Sequence, residues 1–212
     1  MGKTAFLIVD MQNDFCLPGA PFEVKGAMGV ARNIRRALEA CRQHKLPVVH
    51  VFRYYRPDGS DVEITRYDKF MQVGGALIEG TKGGEIVEEL KPLAGEYLVC
   101  KRRWSAFFQT ELDSLLKRLG VDQVVVTGVQ TPNCIRGTVW DANSLDYEVF
   151  VLVDGTGANM QEVHEANLTD MKNIGAKLMT VDEFVKSLPN PPKDGLIEKI
   201  RRDLEERKKG SL

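Results

Sequence analysis

The chain has 212 residues, long enough for one substantial hydrophobic core, and its 43% hydrophobic and 28% charged content is that of an ordinary globular domain. With 29 Lys and Arg against 30 Asp and Glu, the net charge of -1 offers no basic face, so no nucleic-acid partner is expected. No apolar stretch reaches the length of a membrane span, so no membrane partner is expected either.

The N-terminus carries one lysine and an apolar run that stops at Asp10. It reads as a first strand, Ala5–Val9, and not as a signal peptide. Asp10 then falls at the carboxyl edge of that strand, where parallel sheets build their sites. Gln12–Ala20 reads as a loop turning at Pro18-Gly19. Val30, Ile34, Ala37, Leu38 and Cys41 stand at helical spacing and predict a helix over Gly29–His44. Pro47–Phe52 is a second strand. It runs into a long arginine-rich loop, Arg53–Lys69, of a length that is more often functional or an oligomer contact than idle.

Gly83–Leu90 reads as a short helix, and Glu96–Cys100 as a third strand leading straight into Lys101. Thr110 is placed to cap a helix through Leu112, Leu116 and Leu119, closed by Gly120. Asp122–Thr127 is the fourth strand, and Pro132–Leu145 is its helix, with Cys134 near the start. Glu148–Val153 is the fifth strand, followed by a helix over Gln161–Ile174. Ala176–Thr180 is a sixth strand, with a short helix over Val181–Leu188. Strands alternating with helices predict an α/β domain over residues 1–188: three layers, α/β/α, around a six-stranded, mostly parallel sheet.

Residues 189–212 differ. Pro189-Asn190-Pro191-Pro192 is a stiff break. Beyond it, Leu196, Ile197, Ile200 and Leu204 form a narrow apolar stripe on a highly charged helix that is marginal alone. Docking on its own domain, docking on a neighbouring subunit and fraying are left equally open.

Asp10, Lys101 and Cys134 each follow a strand, so all three belong at one edge of the sheet. A thiol at a helix start sits near the positive end of the helix dipole, which favours the thiolate. The carboxylate can take the thiol proton, and the ammonium can hold the carboxylate ionised and stabilise the thiolate. Backbone N–H groups in the turn before Cys134 can bind a developing oxyanion. The bland alternative for any cysteine is core packing. That suits Cys41 and Cys100, and an ordinary loop thiol suits Cys16.

Three motifs carry a resemblance: LIVDMQNDF at Leu7–Phe15, KRRWSAF at Lys101–Phe107 and GVQTPNCIRGTVWDA at Gly128–Ala142. Together they resemble the isochorismatase-like cysteine hydrolase superfamily, which includes nicotinamidase, N-carbamoylsarcosine amidohydrolase and ureidoacrylate amidohydrolase. The resemblance implies an Asp–Lys–Cys triad of Asp10, Lys101 and Cys134. It implies a cis peptide at Val129–Gln130, with the amides of Gln130 and Cys134 as the oxyanion hole. It also implies hydrolysis of a C–N bond in a small amide, carbamoyl or ureido substrate through a thioester. A homo-oligomer, dimer or tetramer, is implied as well.

The sequence departs from the resemblance at one place. Nicotinamidases of this superfamily hold a metal through a D-x-H pattern after the second strand. Here His50-Val51-Phe52-Arg53-Tyr54-Tyr55-Arg56 has no such pair. No metal and no other cofactor is expected, and nicotinamide becomes a poor substrate. His50 itself reads as a packed residue within its strand. Phe15, Trp104, Phe107, Tyr54 and Ile135 are candidates for the pocket wall, with plain core packing as the alternative. Arg53, Arg56, Arg102 and Arg103 lie near the expected mouth, where one of them can hold a substrate carboxylate; solvated or ion-paired charge is the commoner fate. The four cysteines show no C-x-x-C spacing and point to a reducing, cytoplasmic setting. Hydrolysis of another bond, ester or vinyl ether, and a non-catalytic scaffold or regulatory relative stay open.

Overall fold

A computed structural model describes residues 3–191, 193 and 195–210. Its strands are β1 (Lys3–Val9), β2 (Val48–Arg53), β3 (Tyr97–Lys101), β4 (Val121–Val129), β5 (Glu148–Gly157) and β6 (Lys177–Met179). They form one sheet in the order β3-β2-β1-β4-β5-β6, and every neighbouring pair is parallel. The helices are α1 (Asn13–Cys16), α2 (Ala27–Gln43), α3 (Tyr67–Gln72), α4 (Leu112–Arg118), α5 (Arg136–Ser144), α6 (Gln161–Asn173), α7 (Val181–Ser187) and α8 (Leu196–Gly210).

The central strands are apolar on both faces because both faces are covered. Phe6 and Ile8 of β1 join a core with Ala31, Ile34 and Leu38 of α2 and Phe184 of α7. Ala5, Leu7 and Val9 point into the opposite core, with Leu112 and Leu116 of α4, Val139 and Ala142 of α5, and Met171 of α6. Fully burying one such Leu or Phe stabilises the fold by ~1.5–3 kcal/mol, so the two cores fix the register of β1 from both sides. A slip by one residue would exchange the two sets.

The strand order places the site. The chain builds outward from β1 to β2 and β3, then returns to the other side of β1 for β4, β5 and β6. β1 and β4 are therefore neighbours whose connections leave in opposite directions, and a crevice opens at their carboxyl ends. The two strands come very close there. Gly128 of β4 has φ of +115°, and a Cβ on it would lie 2.0 Å from the Val9 carbonyl oxygen. Only glycine fits both the backbone and the gap.

Several sequence expectations need correction. The loop over residues 12–20 contains a single helical turn, α1. The loop over residues 53–69 folds into a short turn of helix at Ile64–Arg66 and runs into α3, because Phe70 is buried edge-on against Tyr55 with ring centroids 5.8 Å apart. The helix expected over Gly83–Leu90 is confined to Glu88–Leu90. Ile86 instead makes an isolated bridge to Gln12. β5 runs on to Gly157 after a register shift and extends the sheet past Gly128. In α8 the residues Leu196, Ile200 and Leu204 are 47–53% exposed, while Ile197 is part-buried.

Candidate active site

The carboxyl edge brings Asp10, Lys101 and Cys134 into contact. The chain leaves β1 at Asp10 with φ of +56°, a left-handed conformation that costs most residues ~1–2 kcal/mol and that Asp tolerates better than most. The Asp10 amide stays tied to the Val51 carbonyl at 2.8 Å. Lys101 is the last residue of β3, two strands away, and its long stem crosses the end of β2. Its Nζ donates to Asp10 Oδ2 at 2.7 Å and lies 3.5 Å from Cys134 Sγ.

Cys134 sits in a wide turn, Thr131–Ile135, between β4 and α5. The peptide Val129–Gln130 just before it is cis. The turn is held from two sides. Thr138 of α5 donates its hydroxyl to the Cys134 carbonyl at 2.6 Å. Thr131 pairs with Nδ1 of buried His164 of α6 at 2.8 Å.

A fourth residue, and a second cation, belongs to the cluster. Arg53, at the end of β2, is fully buried. Its Nη2 lies 3.4 Å from Cys134 Sγ and 3.9 Å from Asp10 Oδ2. Its Nη1 donates to the Tyr55 hydroxyl at 2.7 Å and pairs with Glu63. The Arg103 carbonyl accepts from both Arg53 Nη2, at 2.8 Å, and Lys101 Nζ, at 3.0 Å. Gln12, which the sequence reading passed over, brackets Arg53 with its side-chain amide. Oε1 accepts from the Arg53 amide at 2.7 Å, and Nε2 donates to the carbonyls of Arg53 and Gly84, each at 2.8 Å. Two cations thus face two carboxylates, Asp10 and Glu63, and the buried charges balance as such groups must.

That balance sets the protonation of the thiol. Burial pushes the Cys134 thiol above its ordinary range, the Asp10 carboxylate adds to this, and Lys101 and Arg53 oppose both. Burial and the neighbouring carboxylate thus work against the thiolate that a helix dipole favours, and the two cations work for it. Cys134 lies in the helical turn Thr131–Ile135, which runs directly into α5 at Arg136. Among the described residues Asp10 Oδ1 is buried with no donor of its own, and the Cys134 thiol bonds the Asp10 carboxylate, which places that carboxylate to take the thiol proton.

Cys134 forms part of the floor of a cavity of about 240 Å³ whose wall includes Phe15, Phe22, Arg66, Trp104, Gln130 and Asn133. Phe15 and Trp104 are where the sequence expected them. Phe107, Tyr54 and Ile135 are not on this wall. Phe107 packs on Tyr147 and Ile135 is fully buried, both in the core beneath α4 and α5. The Tyr54 ring packs on Phe52, with centroids 4.8 Å apart. Nearness in sequence to a site residue does not say which way a side chain turns. Phe22 reaches the wall from the loop between α1 and α2, and Arg66 from the segment over residues 53–72.

None of the four arginines singled out from the sequence lines the cavity. Arg53 lies beneath it, and Arg56 is exposed. Arg102 is tied to Asp61 at 2.9 Å. The Arg103 guanidinium bonds the Asp61 carbonyl at 2.8 Å. The end of β2 presents a guanidinium to the site, and among the described residues no three His, Cys, Asp or Glu side chains converge as a metal-binding group. The metal of nicotinamidases therefore finds no matching donor set there. His50 is fully buried within β2, with Nε2 2.8 Å from Glu96. Cys16 is buried, and burial pushes its thiol up to about 12. All four cysteines are free thiols. No helix among the described residues is long and apolar enough to cross a membrane.

Fold and site define an α/β protein of six parallel strands that holds a thiol, a carboxylate and an ammonium in contact at the carboxyl edge of its sheet. Residues 4–183 match the family model of the isochorismatase domain, and the chain belongs to the isochorismatase family of hydrolases. It is 45% identical over 189 residues to a probable inactive nicotinamidase from Arabidopsis thaliana, covering 88% of this chain and 96% of that one. It is 31% identical over 208 residues to a ureidoacrylate amidohydrolase, RutB, from Serratia proteamaculans, covering 89% and 84%. The crystal structure of an isochorismatase family protein from Desulfovibrio vulgaris superposes with a TM-score of 0.85 at 45% identity, covering 89% of this chain and 99% of that one.

Proposed function

We propose that the protein is a metal-independent cysteine hydrolase that cleaves a C–N bond in a small amide, carbamoyl or ureido substrate. The observation that carries this is the state of Asp10. One oxygen is held by Lys101 at 2.7 Å, and the carboxylate bonds the buried thiol on the cavity floor. In the first step the Asp10 carboxylate takes the Cys134 proton as Sγ bonds to the substrate carbonyl carbon. The oxyanion so formed is held by the amides of Gln130 and Cys134. Lys101 and Arg53 offset the negative charge while it moves between sulfur and carboxylate. Asp10 then returns the proton to the leaving nitrogen as the C–N bond breaks, giving a thioester and an amine or ammonia. Water, deprotonated by Asp10, attacks the thioester; the C–S bond breaks and the thiol is restored.

The relation to RutB supports ureido and amide substrates. The lack of a donor set after β2 argues against nicotinamide. A second reading, a non-catalytic relative, is favoured by the name of the Arabidopsis protein, while the intact Asp10–Lys101–Cys134 contact favours turnover. We further propose a small-molecule substrate as the partner, a reducing cytoplasmic setting, and a homo-oligomer, dimer or tetramer.

The deciding experiment is ammonia release from a panel of small amides, carbamoyl amino acids and ureido acids, for the wild type and Cys134→Ala. Cysteine-dependent release establishes the hydrolase. Release that survives in Cys134→Ala removes Cys134 as the nucleophile. Silence on the whole panel, together with slow alkylation of Cys134, establishes the non-catalytic reading.

A further inference from the structure

We infer that α8 is a pairing helix for a second copy of this chain. It lies parallel to the α8 of that copy, and Asp203 and Lys208 fix the direction. The inference is independent of the reading of Cys134.

The helix has little hold on its own domain. The family model ends at residue 183, short of it. Its start is tied to the amino edge of the sheet: Lys193 Nζ lies 3.2 Å from Asp122 of β4, and the Leu196 amide donates to Glu148 of β5 at 3.1 Å. From Glu198 to Lys209 every residue is exposed. Neither core includes Leu196, Ile197, Ile200 or Leu204. A lone helix of 15 residues is marginal in water.

The spacing of the stripe and the charges beside it say what covers it. Ile197, Ile200 and Leu204 follow the three-then-four spacing of a coiled-coil seam, with Leu196 alongside. Such a seam is filled by the same seam on another helix, knobs into holes. Opposite charges four apart on the outer faces, Glu198 with Arg202 and Glu205 with Lys209, favour the helix itself. The flanking residues then choose the direction. In a parallel pair, the residue just before a seam position faces the residue five further on in the other helix. Asp203 therefore meets Lys208 of the second copy, twice by two-fold symmetry. In an antiparallel pair Arg201 meets Lys208 of the second copy, again twice, and like charges repel. Arg207 stands where the next apolar residue of the seam belongs, so the seam stops at Leu204 and the pairing is weak by itself. Because α8 leaves from the amino edge, the pair joins the two domains at the edge opposite Cys134.

The test is site-directed cross-linking in the full chain. Leu204 lies outside both cores, so Leu204→Cys folds. In a parallel pair the two copies of this residue face each other across the seam. A short bis-maleimide should join them into a covalent dimer, read on a denaturing gel with the wild type as background for the four native thiols. Arg202→Cys, on the outer face, is the control and should react between copies at least about tenfold more slowly, lacking the high effective concentration of a paired thiol. Adding Asp203→Lys to Leu204→Cys replaces two opposite-charge pairs by two like-charge pairs and should slow cross-linking by about 5- to 30-fold. Adding Lys208→Asp as well should restore it, a rescue that chance collision or another interface would not give. Cross-linking of Leu204→Cys no faster than of Arg202→Cys overturns the proposal, whether α8 rests on its own domain or serves a different protein. A mixture of Ile197→Cys and Leu204→Cys that links across more readily than Leu204→Cys links to itself overturns the parallel pair.

Discussion

Replacing Asp10 by Asn should make Cys134 easier to ionise while abolishing turnover. Asp10 and Lys101 are in direct contact, and the thiol lies 3.4 Å from Arg53 Nη2 and 3.5 Å from Lys101 Nζ. In the wild type, the Asp10 carboxylate already neutralises part of this positive field and so pushes the thiol up. The neutral amide of Asp10→Asn leaves both cations facing the sulfur alone. At these distances each cation–thiolate pair is worth roughly 5 kcal/mol before desolvation, at an effective dielectric of about 20. Removing a nearby carboxylate typically moves a pKa by about 1–3 units. Each unit raises the thiolate fraction about tenfold but lowers its intrinsic reactivity about threefold. Iodoacetamide alkylation of Cys134 at about pH 6 should therefore quicken by roughly 3- to 40-fold, and its midpoint should move to lower pH. Ammonia release should be lost, because no base remains to carry the proton to the leaving nitrogen. The assay is the pH profile of alkylation at Cys134, with the other three thiols as internal references. A midpoint that moves up in Asp10→Asn would refute the assignment of Asp10 as the proton acceptor beside the thiol.

Three further outcomes follow from the packing. Arg53→Met leaves Glu63 and Asp10 short of a buried partner, so urea unfolding should show a loss of ~3–5 kcal/mol; a loss under ~1 kcal/mol would mean that Arg53 does not hold the cluster together. Gly128→Ala puts a Cβ 2.0 Å from the Val9 oxygen at φ of +115°, and soluble yield and thermal midpoint should both collapse, whereas a near-native midpoint would show that β1 and β4 can part. Burial works against ionised Glu96, but bonds from Arg42, the Leu93 amide and His50 outweigh it and hold the carboxyl at about 2, below its ordinary 4.5. Burial also holds His50 below its ordinary value. Both groups bind more protons when unfolded, so stability present above the unfolded values is lost as the pH falls. The urea midpoint should drop between about pH 5 and pH 2, and the drop should be shallower in Glu96→Gln. Equal slopes in the two proteins would remove Glu96 from the acid response.

The period of the apolar residues and the residues at strand ends determined much of this protein without its structure. Ala5–Val9 ending at Asp10, Glu96–Cys100 ending at Lys101, and the strand before the turn at Cys134 are local patterns. Hydrophobic periodicity and chain breaks are legible one segment at a time. Phe15 and Trp104 line the cavity, yet Ile135, next to Cys134, is in the core, so nearness to Asp10, Lys101 or Cys134 in sequence did not settle the wall. What only the tertiary structure decided depends on residues far apart in sequence. The order β3-β2-β1-β4-β5-β6 makes β1 and β4 neighbours and so joins Asp10 to Cys134, 124 positions later. Arg53 read as a charge near the mouth, yet it is buried beneath the thiol, because its partners Glu63, Tyr55 and the Arg103 carbonyl surround it only once the strands are paired. Arg66 carried no local signal at all. Its three rings come from Phe15, Phe22 and Trp104, and charge, unlike apolar period, takes its meaning from neighbours that only the fold supplies.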